Sequence, residues 1–378
     1  MTVFLFALFL VIVMSLVMFE GLLRRWSGAP VFSISRRRGR FAEHSDEQHS
    51  LLGNIHAVRK RDPLFSDVLE ADIKNWISEK RRYRDELTHS QKTGMDAGEL
   101  KALVNARTFL GTEFSIRDGF RGTTNSPING TNTIWCFGGS TTFCLEVRDS
   151  STWCSVLQER LMKGSDSIHY PKVENWGRPG ALLVERIKTY TQLESVKAGD
   201  VAVFLFGDND SGWTQSNGKS AHDLLPVHIR LTHRLSHWSE ICAWLYGEIS
   251  PEHLRRLART FAKSVASSIK EASAFSQIRG VRALFVLQPN VFTLSQESSE
   301  LVNIRNSVAR DLPIMLNEAY SEYQRLVVQG ANVVSAANIF NDDRNLAYVD
   351  WAHYSTRGNL ILGEWIFQEL LMRRYVDA

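Results

Sequence analysis

Six consecutive apolar residues, Val201-Ala202-Val203-Phe204-Leu205-Phe206, stop abruptly at Gly207-Asp208-Asn209-Asp210-Ser211-Gly212. A strand with one wet face alternates apolar and polar residues, whereas a short unbroken run needs apolar neighbours on both faces. The run is therefore expected as a central strand of a sheet covered on each side. From about Asn132 onward the chain agrees. Short apolar runs predict further strands at Thr133 to Phe137, Lys172 to Asn175, Ala283 to Leu287 and Asn332 to Ser335. Helical periodicity fills the intervals: Thr152 to Met162, Leu183 to Glu194, Pro251 to Ala274, Ser298 to Val328 and Thr356 to Arg373. Such alternation predicts an α/β fold, a parallel sheet between two helical layers. In these sheets sites gather at the carboxyl ends of the strands.

The other end of the chain is different. Val3 to Phe19 is uncharged and almost wholly apolar, and continues past Glu20 through Gly21-Leu22-Leu23. That is about the ~20 residues a helix needs to span the hydrocarbon core. Nothing before Val3 is basic and no small-x-small site precedes Arg24, so residues 1–23 are expected as an uncleaved transmembrane anchor. Residues 24–60 follow as a basic linker, then a helical extension and lead-in over 61–130, with Val68, Leu69, Ile73, Trp76 and Ile77 at helical spacing. The main domain is expected over 131–378, with an insertion at about 211–250.

The formal charge of +3 hides an asymmetry: Arg24, Arg25, Arg36, Arg37, Arg38 and Arg40 stand together without an acid. Setting them aside leaves the rest of the chain net negative, which argues against nucleic acid as a partner. The positive-inside tendency would keep this arginine side in the cytoplasm; contact with anionic lipid headgroups is its other use. Cys136, Cys144, Cys154 and Cys242 show no metal-ligand spacing and are expected as free thiols or at most one bridge.

Four strand ends carry chemistry. Phe137-Gly138-Gly139-Ser140-Thr141-Thr142 can present a serine hydroxyl at a strand-to-helix turn, or can be a glycine turn with a capping hydroxyl. Asn175-Trp176-Gly177-Arg178-Pro179-Gly180 offers backbone N–H groups free of a side chain, or simply a loop. Asn209 can donate its side-chain amide to a developing oxyanion, or belong to an Asx-rich turn in which Asp208 and Asp210 cap or face solvent. Asp350-Trp351-Ala352-His353 spaces an acid three residues before an imidazole, as a base and its orienting group require.

In their order, GGST, NWGRPG, GDND and DWAH resemble the four blocks of the SGNH (GDSL-like) hydrolase superfamily. The resemblance covers about Arg117 to the C-terminus, including the lead-in Asp118-Gly119-Phe120-Arg121-Gly122 and Val147-Arg148-Asp149-Ser150-Ser151-Thr152-Trp153. It implies a flavodoxin-like three-layer α/β/α sandwich with a central parallel sheet, preceded here by the N-terminal transmembrane helix. Carried over by position, Ser140 would be the nucleophile, His353 the base and Asp350 its orienting acid. The oxyanion hole would comprise Ser140, Gly180 (with Gly177 as the alternate) and Asn209. Gly139 departs from the aspartate of the namesake motif.

What this implies is a membrane-anchored serine esterase acting on O-acyl esters of a small molecule, carbohydrate or cell-envelope component, without a cofactor. An O-acyltransferase using the same residues is the alternative, and a catalytically inactive tethered binding module a third. By resemblance the domain would lie outside the cytoplasm, opposite to the side the arginines indicate. In the insertion, His222, His228, His233 and His237 lack a carboxylate or cysteine partner, so no metal is expected. Trp213, Trp238, Trp244 and Tyr246 are expected to pack as a lid there, sugar stacking being the other use. Gln288-Pro289 is expected to end the fourth strand beside the cleft.

Overall fold

The computed structural model describes residues 58–90, 108–163 (118, 128, 129 and 131 excepted), 170–211, 251–295, 298–308, 311–330, 332–343 and 347–377. The apolar run Val3–Phe19, the linker arginines, Cys242 and the histidines and aromatic residues of the insertion lie outside the described residues. Among the described residues, no helix is long and apolar enough to cross a membrane.

After α1 (Asp67–Ser90) come three short strands, β1 (Phe109–Leu110), β2 (Ser115–Arg117) and β3 (Phe120–Arg121). Then follow β4 (Thr133–Gly138), a one-turn α2 (Ser140–Phe143), α3 (Trp153–Lys163), β5 (Lys172–Gly177), α4 (Leu183–Gln192) and β6 (Val201–Phe206). The chain ends with α5 (Pro251–Arg279), β7 (Arg282–Leu287), α6 (Ser299–Ser307), α7 (Asp311–Gln329), β8 (Val333–Ser335) and α8 (Thr356–Met372).

The eight strands of the described residues join one sheet in the order β1-β2-β3-β5-β4-β6-β7-β8. Strands β5-β4-β6-β7-β8 run parallel, and by order of appearance their sequence is 2-1-3-4-5, the flavodoxin-like doubly wound arrangement. Gly138 pairs with Gly177, and Phe137 with Phe204, so the carboxyl ends of the three central strands are level. The chain reverses its direction of winding at β4, which opens a crevice between the loops leaving β4 and β6.

Burial explains the central run. Ile134, Cys136, Val203 and Leu205 face a layer built from Trp153 and Leu157 of α3, Leu301 of α6, and Leu362 and Ile366 of α8. The alternate residues Trp135, Phe137, Phe204 and Phe206 face Ile187 and Tyr190 of α4, Leu254 and Ala258 of α5, and Leu316 and Tyr320 of α7. Phe137, Phe204 and Phe285 stack across adjacent strands, with centroids 5.0 and 4.9 Å apart. Fully burying one such ring is worth ~1.5–3 kcal/mol in transfer alone.

Two expectations are corrected. Ser298 to Val328 is not one helix: Val308 is extended (φ −89°, ψ 160°) and closes α6, and α7 restarts with Pro313 in its first turn. Proline is tolerated there because its missing N–H has no intrahelical partner, whereas mid-helix it would break the ladder. The 61–130 segment is not wholly helical either, since its end supplies three antiparallel edge strands and makes the sheet mixed. Strands of two or three residues are too short to show a period.

That segment also braces the site. Leu69, Ile73, Trp76 and Ile77 of α1 pack with Phe114 and Ile116 onto Phe143, Leu145 and Val349. Phe143 and Leu145 follow Ser140 closely, and Val349 precedes Asp350. Asp62 accepts the Thr356 N–H at 2.7 Å at the start of α8, three residues after His353.

Candidate active site

Gly138 and Gly139 matter for what approaches them. A Cβ on Gly139 would come 2.4 Å from Asn209 Nδ2, so only glycine lets that amide lie against the turn. Ser140 is then the first residue of α2, half-buried at the end of β4. Gly177 serves packing: its Cβ would lie 2.2 Å from the Phe143 nitrogen, so its absence lets α2 rest on β5. Gly180 occupies the following turn at φ +72°, with open space where a Cβ would point. That left-handed backbone favours glycine.

Asn209 opens a 3-10 turn beyond β6 and donates Nδ2 to the Ala181 carbonyl at 3.0 Å. This bond holds the amide beside the turn that carries Gly180. The flanking aspartates do not face solvent, contrary to one expectation. Asp208 is 3% exposed and accepts from Asn290 Nδ2 and Tyr320 OH, each at 2.7 Å, and from Gln288 Nε2. Asp210 accepts the Leu183 N–H at 2.7 Å and the Gly207 N–H at 3.1 Å, which ties the turn to the start of α4. Burial pushes Asp208 up to about 7 and Asp210 up to about 6, against the hydrogen bonds that favour their charged forms. Gln288, the residue directly after the end of β7, is buried. Its Oε1 lies 3.1 Å from Thr141 Oγ1, linking the serine turn to Asp208.

The DWAH loop folds on itself through an isolated bridge between Tyr348 and Tyr354. Asp350 Oδ1 accepts the Ala352 and His353 N–H groups at 2.8 and 2.7 Å, and its Oδ2 lies 2.7 Å from His353 Nδ1. On the far side of the ring, Nε2 lies 2.8 Å from Ser140 Oγ. Residues 213 positions apart thus share one hydrogen bond. Burial would raise Asp350, but the His353 charge and the hydrogen bonds from His353 and Ala352 hold it below the usual carboxylate value. Burial would lower His353, yet Asp350 first, then Glu146, outweigh it and push the imidazole up to about 10.

Three residues escaped sequence reasoning. Arg121 is buried under the site, ion-paired through Nε to Asp149 at 2.8 Å and donating Nη2 to Val147 O at 2.6 Å. It thereby joins the two flanking stretches noted around the motifs. Asp208 was noted only as a turn residue. Glu146, a lone acid between Leu145 and Val147, is buried with Oε1 3.8 Å from His353 Nε2; an acid inside an apolar stretch was the available signal. Cys136, Cys144 and Cys154 are buried free thiols. Among the described residues no cluster of three or more His, Cys, Asp or Glu could hold a metal ion.

No family model matches this chain, and no curated protein matches it. Solved structures do overlap with it. A member of the lipolytic protein G-D-S-L family from Veillonella parvula is 12% identical over 64% of this chain and 100% of its own, with a TM-score of 0.38. A carbohydrate acetylesterase from Sinorhizobium meliloti is 13% identical over 64% of this chain and 100% of its own, with a TM-score of 0.35. Overlaps this loose leave the chemistry to be argued from the residues themselves.

Proposed function

We propose that this chain is a serine esterase that deacylates O-acyl esters through a covalent acyl-enzyme, with Ser140 as nucleophile, His353 as base and Asp350 as orienting acid. One observation carries the reading: the continuous run from Ser140 Oγ through both nitrogens of His353 to Asp350 Oδ2, at 2.8 and 2.7 Å. In this mechanism His353 Nε2 takes the Ser140 proton as Oγ attacks the ester carbonyl. Collapse of the tetrahedral adduct expels the alcohol, which leaves with that proton. Water then gives a proton to Nε2 and attacks the acyl carbon, and the proton returns to Ser140 as the acid departs. A hydroxyl acceptor in place of water yields acyl transfer through the same intermediate.

The developing oxyanion is received by the N–H groups of Ser140 and Gly180 and the Asn209 amide. A donor of this kind is worth ~3 kcal/mol in the transition state. Asn209→Ala is accordingly expected to lower kcat by about 10²–10³-fold with little change in KM. Initial rates on p-nitrophenyl acetate measure this, and a loss under tenfold would remove Asn209 from the hole. The run Val3–Phe19 anchors the enzyme to a membrane, which suits an acylated carbohydrate or envelope substrate of the kind the motif resemblance implies.

Labelling with a fluorophosphonate probe and peptide mapping tests the assignment. Adduct on Ser140, slowed while excess p-nitrophenyl acetate is present as a competing substrate, is the expected result. A folded chain that acquires no adduct there would be a binding module instead.

A further inference from the structure

The reaction above needs one carboxylate, on the Nδ1 side of His353. The structure holds a second on the other side. Glu146 leaves the left-handed turn at Cys144 (φ 56°) that ends α2 and points back at the ring, its side chain 8% exposed and Oε1 3.8 Å from Nε2. Nε2 is the nitrogen that faces Ser140 Oγ at 2.8 Å. The imidazole is thus flanked by Asp350 at one nitrogen and Glu146 at the other.

Among the described residues, the remaining charged and titratable groups around this pair are few. Arg121 of β3 lies behind Glu146 but is engaged by Asp149, the Val147 carbonyl and the face of Phe114, 4.0 Å from its guanidinium carbon. Asp208, beyond β6, acts on His353 from further off, and the buried Cys144 thiol is held in its neutral form by burial and by Glu146. Burial pushes the Glu146 carboxyl up, and the His353 charge opposes this most strongly, ahead of Arg121. Glu146 and His353 therefore compete for protons across one short gap.

We propose that Glu146 is a positioning residue that acts through His353: its carboxylate holds the imidazolium at Nε2 and so sets the pH at which the ring is freed to serve Ser140. The sign follows directly. A negative charge near Nε2 favours the protonated ring, so the free base appears only toward alkaline pH; removing that charge brings the free base to lower pH. An opposite charge at this range moves a titration by about one to three pH units when the pair is poorly solvated. The inference rests on the esterase reading for its consequence in turnover, but not for the titration itself.

Full-length protein in detergent micelles is carbethoxylated with diethyl pyrocarbonate between pH 6 and pH 11, with rates corrected for reagent hydrolysis, and modification of His353, which requires the neutral ring, is followed by peptide mass spectrometry. Glu146→Gln is expected to lower the midpoint by about one pH unit or more, giving roughly tenfold faster modification at pH 6. Glu146→Leu, which fills the buried site without charge, should do the same and serves if the glutamine variant misfolds. Glu146→Asp keeps the charge and should hold the midpoint nearer wild type. The ascending limb of p-nitrophenyl acetate hydrolysis should move with the chemical midpoint. A folded neutral variant with an unmoved midpoint, or an aspartate variant that falls as far as glutamine, overturns the proposal. Ester turnover unaffected by loss of Ser140 would defeat the esterase reading instead, and leave the His353 titration to decide Glu146 separately.

Discussion

Ser140→Ala is expected to abolish ester turnover, with kcat falling by about 10⁶-fold, while the protein stays folded. Losses of that size follow removal of a nucleophile whose base and orienting acid depend on it as a unit. The fold has little stake in the hydroxyl. Its hydrogen bond runs to His353 Nε2, and the backbone of the turn is held separately by Thr142 and Phe143 N–H groups on the Gly139 carbonyl. Alanine keeps the α2 start and leaves the glycines untouched. Initial rates on p-nitrophenyl acetate and a thermal melt on the same preparation measure both halves. Wild-type turnover by the alanine variant would remove Ser140 from the mechanism.

Asp350→Asn is expected to be nearly as severe, about 10⁴-fold in kcat. The carboxylate makes two kinds of contact, and asparagine preserves only one. Its carbonyl oxygen can still accept the Ala352 and His353 N–H groups, so the loop should keep its shape. The amide nitrogen would then face His353 Nδ1 and donate to it. That forces the proton onto Nε2, where it points at Ser140 Oγ and leaves no lone pair to accept the hydroxyl proton. Fluorophosphonate labelling of Ser140 should slow in parallel with turnover. A loss under tenfold, with the loop intact, would mean that Asp350 does not set the tautomer.

The effects differ in kind from those at Glu146, which changes when His353 is available rather than whether it can act. Asp350 is bonded to Nδ1 and to two backbone N–H groups, whereas Glu146 stands 3.8 Å from Nε2. The two carboxylates therefore separate cleanly in experiment: asparagine at 350 lowers the plateau rate, and glutamine at 146 moves the pH at which the plateau is reached.

Local pattern determined a good deal of this protein. Val201–Phe206 is a strand over the residues that its uninterrupted apolar run marks, because a strand buried on both faces has no polar residue to blur its ends. The strand-end positions of Ser140 and Asn209 were legible for a related reason. Glycines and Asx residues cluster where a chain must turn sharply, and turning at the carboxyl edge of a parallel sheet brings such loops together. Only the tertiary structure decided the rest. The strands at 109–121 owe their existence to pairing with one another and, through Arg121, with β5, not to any period of their own. The break between α6 and α7 was masked by helical spacing on both sides. The burial of Asp208, Glu146 and Arg121 depends on partners such as Tyr320, His353 and Asp149, the first two more than 100 residues away. A charged residue reads as surface in a sequence because solvation is its cheapest state. What holds it inside is a set of neighbours that the fold alone assembles.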